Sequence, residues 1–559
     1  MRLTTILISG LVAAAAVWAA SDTRLADAAM RGDREAVRSL LARHVDVNGA
    51  QGDGSTALHW AAHEGDVEMA KMLLKAGANV NAATSVGAIT PLYLASKDGN
   101  APIIEALLNA GASANETNAN GTTVLMMAAA SGDPAAVKAL LDHGASVNAV
   151  EKANGQTALM FAAALGRADA IKLLIEHGAD PKVTTKVVHF EKILVDANGD
   201  PIRPPEGAQA AGAGRGRGGR GGADRVFGAL MQGGMTALHF AAREGQMKAV
   251  EALLAGGANV NEVTAADHSS AINEALINGH YDVAKYLLDH GADPKLANSD
   301  GLTPLYATID MRWRANAWYP QPTVAEEKTG YLDLAKALLA HGADPNARLS
   351  RKLWYRKFRY GDDWVDPNGA TPFWRAAQAD DVAAMKLLLA AGADPKIPTR
   401  HGCTALMVAA GIGFEYQLTN LVPDARMAAV KYLAEDLGLD VNAQDVQGYT
   451  ALHGAAYVGD NDVIKYLISK GADVKAQAKA RLFGTQGAQN VPDGKGDTVA
   501  DMANGPREKS VVHADTLALL VSLGSVNSND CRSTQCVLNT RPDKPAKAGP
   551  GTSEKTSPK

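Results

Sequence analysis

Four histidines, His143, His177, His290 and His341, each open the same tetrapeptide, HGA followed by Ser or Asp. Imidazole is the commonest metal-ligating side chain, and an evenly recurring histidine could form a ladder of ligands. Each of these four also closes an apolar helical segment. There its ring meets the negative end of the helix dipole, which explains the recurrence without a metal. Asp180, Asp293, Asp344 and Asp394 recur just as regularly in GAD turns, so they read as turn residues and not as catalytic acids. No G-x-S-x-G elbow, P-loop, H-E-x-x-H helix or paired C-x-x-C occurs in the chain. The residues therefore predict no catalytic centre, no metal site and no cofactor.

Two other groups could do physical work. In the run KLWYRKFRYGDDW at 352–364, Trp354, Tyr355, Phe358, Tyr360 and Trp364 alternate with Arg356, Arg359 and two lysines, in a chain that is only 5% aromatic. Upstream, RWRANAWYPQP holds Trp313, Trp318 and Tyr319. Aromatic and arginine side chains dominate protein interfaces, so these ten residues are the candidate partner-binding set. The same rings could instead pack the segments that carry them. A stacking platform for single-stranded nucleic acid would use similar residues. The net charge of −5 and the adjacent Asp362 and Asp363 argue against that, so no nucleic-acid partner is expected. Separately, Cys531 and Cys536 lie five positions apart and Cys403 stands alone. In an oxidising compartment the pair can close a tight loop worth roughly 2 kcal/mol.

The elements that must position these residues come from self-comparison. TALHWAAHEGDVEMAKMLLKAGANVNA begins at Thr56, and echoes begin at Thr90, Thr123, Thr157, Thr236, Ser270, Thr303, Thr371, Thr404, Thr450 and Thr498. A more polar copy begins at Thr23, which makes twelve units, spaced 33 or 34 residues apart wherever nothing is inserted. Each unit predicts two short helices. Thr56 caps the first, Leu58, Ala61 and Ala62 form its apolar stripe, and Gly65 ends it. Val67, Ala70, Leu73 and Leu74 line the second, and Gly77 supplies the left-handed residue after it. TALHWAA, TALHFAA and TALHGAA, with the recurrent GANVNA, GADPNA and GADVKA, resemble the ankyrin repeat, whose T-P-L-H-x-A pattern and period they match. The resemblance implies an all-α repeat solenoid of stacked helix pairs, with β-hairpin fingers on one edge and a concave binding face. Its histidine slot is filled otherwise by Tyr93, Met126, Met160, Asn273, Tyr306, Trp374, Met407 and Asp501, which puts the local hydrogen bonding in question.

The rhythm breaks in two ways. Insertions at 183–233, 348–368 and 480–495 fall in the fingers, and others at 311–329, 413–426 and 506–513 separate the two helices of a unit. Fingers and helix–helix turns lie at opposite ends of a layer, so the two groups should emerge on opposite edges. The Gly/Arg-rich stretch within 183–233 predicts a flexible loop. Repeats one to five occupy 21–182 and repeats six to twelve occupy 234–538, and the Pro/Lys/Ser composition of 539–559 predicts a disordered tail.

The first twenty residues have one charge, Arg2, an apolar run from Ile6 to Val17, and small residues at Ala19 and Ala20. This is the layout of a secretory signal peptide, with cleavage expected after Ala19 or Ala20. The reading that follows is an exported, monomeric, non-enzymatic scaffold, periplasmic or secreted, which binds a protein partner through its concave face and aromatic insertions. The alternative is an envelope-associated structural protein that contacts lipid or cell-wall polymer through 352–364.

Overall fold

The computed structural model describes residues 22–189, 231–314, 324, 326–353, 365–415, 419–482, 488–490, 494–507, 510–528 and 531–539. They fall into two compact bodies, Met1–Val183 and Thr184–Lys559, each a stack of helix pairs. The first holds layers one to five, from Arg24–Met30 with Arg34–Ala42 to Ala158–Ala164 with Ala168–Glu176. The second holds layers six to twelve, from Ala237–Arg243 with Met247–Ala255 to Val499–Ala503 with Ala514–Ser522.

Local chemistry sets each helix. From layer two onward the residue before the first helix of a layer (helix A) is extended, as at Thr90 with φ −104° and ψ 163°, whose hydroxyl accepts from the Tyr93 amide. Asp66 caps the second helix (helix B) of layer two by accepting from the Met69 amide at 3.0 Å. Gly77, at φ +87°, makes the left-handed exit that a side chain would resist. Ala57, Leu58, Ala61, Ala62 and Leu73 are fully buried. Alanine at these positions brings neighbouring helices of the body close enough to exclude water between them.

The asparagine of the repeat tie explains two motif positions at once. Asn148 donates to the Gly178 carbonyl at 2.9 Å and accepts from the Asp180 amide at 2.9 Å. Asn115, Asn261, Asn346 and Asn442 make the same pair of bonds to the layer that follows. Each side-chain amide thus satisfies the carbonyl of the glycine that ends the next helix B and the backbone amide of the Asp or Ser two residues on. Four turns carry lysine here instead, at Lys182, Lys295, Lys396 and Lys475.

In the second body the fingers are mostly turns, with isolated bridges such as Val263 to Ser270 and Gln477 to Thr498. Two finger insertions add short hairpins, Val188–His189 against Met231–Gln232 and Ala480–Leu482 against Ala488–Asn490. Helix B of layer ten starts as Arg426–Lys431 and ends in a π-helical turn, Tyr432–Asp436.

The insertions between helices A and B are fastened by buried charge. Arg375 and Asp310 are 3% and 0% exposed and pair at 2.5 Å, and the Arg375 guanidinium also reaches the Trp313 carbonyl. Asp282 accepts from the Thr329 amide and hydroxyl and from the Lys328 amide, closing the same insertion. Arg507 in the layer-twelve insertion pairs with Glu415 in the layer-ten insertion, reaching past layer eleven. One expectation needs correction. An added Cβ on Gly413 would lie 2.3 Å from Val365, so the end of the finger insertion 348–368 reaches the helix A–helix B side of layer ten. The two classes of insertion meet there instead of keeping to opposite edges, because Val365 is 8% exposed and finds its apolar cover on that side.

Two outcomes follow. Asn148→Ala should lower stability by about 1 kcal/mol in equilibrium denaturation, whereas Lys182→Ala should leave it near wild type. Arg375→Met should cost about 3–5 kcal/mol, since it removes the guanidinium that faces the buried Asp310 carboxylate, and pairing it with Asp310→Leu should recover most of the loss.

Candidate functional site

Of the ten residues expected to bind a partner, Trp313 is the one whose place the structure gives. It is 7% exposed, and its indole Nε1 donates to Asp381 Oδ2 at 2.7 Å. Tyr331 donates to the same oxygen at 2.8 Å, and the Arg312 guanidinium covers both rings. This indole packs the insertion and is not available to a partner. Trp318, Tyr319, Trp354, Tyr355, Arg356, Phe358, Arg359, Tyr360 and Trp364 lie outside the described residues. Leu353 and Val365, on either side of the run 354–364, are both buried.

Asp380, next to Asp381, stands where other layers place glycine. Its φ is +56°, against +68° at Gly65 and +69° at Gly245, and it is 2% exposed. Burial pushes its carboxyl up to about 7, an effect opposed by Arg426 at 3.8 Å. A strained, buried acid of this kind is held by packing around it, and the Val422 amide bonds the adjoining Ala379 carbonyl.

A second surface lies wholly in the first body. Asp53, Ser55, His59, Trp60, His63, Thr84, Val86, Ile89 and Leu94 line an open groove of about 300 Å³ between the fingers and helices A of layers two and three. Its floor is fixed. Trp60 Nε1 donates to Gln51 at 2.8 Å, and Gln51 donates to Asp27 at 2.8 Å. The fingertip is fixed too, since Thr84 and Ile89 exchange backbone and hydroxyl bonds. On that tip Val86 is 80% exposed, the most exposed large apolar side chain among the described residues. Asp53 is held below the usual carboxylate range by the Ser55 amide and hydroxyl and so stays charged at the rim. The arrangement offers a preorganised aromatic floor, an apolar lip and one anionic edge. That suits an apolar side chain flanked by a cationic or hydrogen-bond-donating group.

His59 explains how the groove walls are joined. Its Nδ1 accepts from the Thr56 amide at 3.1 Å and from the Thr56 hydroxyl at 2.9 Å. With Nδ1 accepting, Nε2 carries the proton and donates to the Ile89 carbonyl at 3.0 Å. The histidine thus caps its own helix and holds the next finger. His239 repeats this, with Nε2 3.1 Å from the Ser269 carbonyl. Where histidine is replaced, some substitutes keep the cross-layer bond. Trp374 Nε1 donates to the Cys403 carbonyl at 3.1 Å, Asn273 to the Leu302 carbonyl at 3.3 Å, and Asp501 accepts from the Ser528 amide at 2.8 Å. His177, His290 and His341 do what their position suggested: each Nδ1 lies 2.8 Å from the carbonyl four residues back. Among the described residues no three metal-capable side chains converge.

Burial lowers the pKa of His239 and of His453 from 6.5 to about 4. Between those values the unfolded chain binds a proton that the folded chain refuses, so each of these sites opposes folding increasingly as pH falls from about 6.5 to about 4. In NMR titrations His239 and His453 should stay neutral as the Nε2–H tautomer down to pH 5. Protonation of either near pH 6.5 would contradict the capping geometry.

The comparisons with known proteins agree on the repeat. A family described as ankyrin repeats (3 copies) matches residues 92–185, 222–311, 323–422 and 418–478, and a second, ankyrin repeats (many copies), matches 25–74. Alpha-latrocrustotoxin-Lt1a of Latrodectus tredecimguttatus is 30% identical over 218 residues, 39% of this chain and 13% of that protein. An ankyrin repeat protein of Rickettsia felis is 34% identical over 114 residues, 20% of this chain and 46% of its own length. The palmitoyltransferase akr1 of Schizosaccharomyces pombe is 43% identical over 56 residues, 10% of this chain and 9% of that enzyme. In every case the chain spans less than half of the relative it matches. Ankyrin repeats generally serve as protein-interaction scaffolds, and by its repeat pattern, its layered helix pairs and a match over well more than half of its length this chain belongs to the ankyrin repeat family.

Proposed function

We propose that the chain is an exported scaffold that holds a protein partner on the face formed by its fingers and helices A, without catalysis. The observation that carries this reading is the groove around Trp60. A rigid indole and a protruding valine sit beside a charged carboxylate, and no packing within the described residues explains why Val86 is left 80% exposed. The layout of residues 1–20 supports export, and the Cys531–Cys536 bond of the structure fits an oxidising compartment. The aromatic run 354–364 is a second docking element on this reading, carried on an insertion whose described ends are anchored.

Trp60→Ala with Val86→Ser should cut partner capture from the native envelope extract at least tenfold while leaving the melting temperature within a few degrees. Deleting 354–364 should weaken the same capture by a smaller factor. Unchanged capture in both variants would overturn the assignment of the binding face. Sedimentation of the 354–364 deletion with anionic liposomes or cell-wall polymer separates the alternative. Wild-type co-sedimentation that the deletion abolishes, with no protein captured, would favour a structural envelope protein. The purified mature chain should begin at Ala20 or Ser21, and an intact Met1 on cytosolic protein would end the export reading.

A further inference from the structure

Among the described residues the last helix pair is that of layer twelve, and it is not left open. Asp501 Oδ1 accepts from the amide and hydroxyl of Ser528, both at 2.8 Å. Asn504 bonds Asn527 at 3.2 Å, and the Ala500 amide bonds Ser525 at 3.1 Å. Residues 525–528 therefore do for layer twelve what a following finger does for earlier layers. The helix Thr534–Asn539 follows them. Repeat stacks need such caps, because the terminal layer otherwise presents its stacking face to water.

This cap is short, and a sulfur pair closes a loop within it. Cys531 and Cys536 are joined, with Cα atoms 6.1 Å apart, and the five-residue step between them carries the contacts that pin the cap. The Arg532 amide donates to the Gly505 carbonyl at 2.9 Å, Ser533 Oγ donates to the Ser510 carbonyl at 2.6 Å, and Gln535 accepts from the Val512 amide at 3.0 Å. The Arg532 guanidinium pairs with Asp497, which is 1% exposed and also accepts from Tyr449 and from the Leu482 amide. An added Cβ on Gly505 would lie 2.7 Å from Ser533 and 3.1 Å from Cys531 Sγ, so the bonded loop fits closely against the layer-twelve insertion. Both bonded cysteines are partly exposed, whereas Cys403 is 1% exposed.

We propose that Cys531 and Cys536 form a thiol–disulfide latch, which fastens the C-terminal cap when oxidised and frees it when reduced. Closure is an exchange with a disulfide-bearing oxidant such as oxidised glutathione or a dithiol oxidoreductase. One cysteine thiolate attacks the oxidant's disulfide, giving a mixed disulfide and expelling one thiolate. The second cysteine thiolate then displaces the other half. Two electrons leave the cysteines, their two protons pass to solvent or to the departing thiolates, and the oxidant's disulfide ends as two thiols. Opening runs the same steps in reverse with a dithiol. The chain-entropy contribution of so small a loop corresponds to roughly a 30-fold shift in the docking equilibrium of the cap. This latch does not depend on the partner-binding reading.

Hydrogen exchange read by mass spectrometry on the purified full chain tests it, comparing the oxidised form, the form reduced by a phosphine, and the form reoxidised with glutathione disulfide. Reduction should raise exchange at Val512, Ser528 and Arg532 by roughly 30-fold, leave layers one to nine unchanged, and reverse on reoxidation. Maleimide should then label two thiols per native chain, with Cys403 untouched. The double variant Cys531→Ser, Cys536→Ser should behave as the reduced form and ignore the phosphine. Exchange that is indifferent to reduction would show the bond to be idle. Loss of protection throughout layers six to twelve would show a structural staple. Either result overturns the latch.

Discussion

The interaction on which the structure depends is the contact of one layer with the next through the third residue of helix A. A single helix pair cannot bury its own apolar face. It gains cover only when a neighbour stacks on it, and the polar backbone of the intervening finger must then be satisfied inside the contact. His59 and His239 meet both demands with one neutral ring, capping Thr and holding the following finger. The asparagine ladder repeats the arrangement at the other helix. Stacking is thus specified by hydrogen bonds as well as by area, which fits a chain whose core is largely alanine and leucine.

The insertions change this simple coupling. In an uninterrupted repeat array each layer feels its neighbours alone. Here Arg507 reaches Glu415 across layer eleven, and Val365 of one insertion rests on Gly413 of another. The cost of burying these charges is met only while both partners are present. They make the later layers of the second body a more cooperative block than repeat stacking alone would give, and they fix the bases of the segments that carry the aromatic residues.

Much of this was legible in the sequence. Period, capping threonines and glycine exits marked nearly every helix pair, the exceptions being Ser270 at a cap and His44 and Asp380 at left-handed exits, because each is a local requirement of backbone geometry. The helix-end histidines were equally legible, since their chemistry depends on position in the helix and not on distant residues. What the sequence concealed was tertiary. Trp313 looks the same on paper whether it faces a partner or Asp381, and only the packing of layer nine decides between them. The groove at Trp60 was missed because its signals are weak singly: a tryptophan in a variable slot of the motif, and a valine at a fingertip where polar residues are usual. Asp380 was hidden inside the ordinary-looking QADD, although an acid in the glycine slot was there to be noticed.

Photo-cross-linking from single positions, carried out in the native cells, tests the central claim that recognition belongs to the fingers and helices A. A photoreactive residue at Val86 should yield a discrete adduct with one partner, and the same residue at Lys71, exposed on helix B of layer two, should yield none. Adducts from position 71 with none from position 86 would contradict the account.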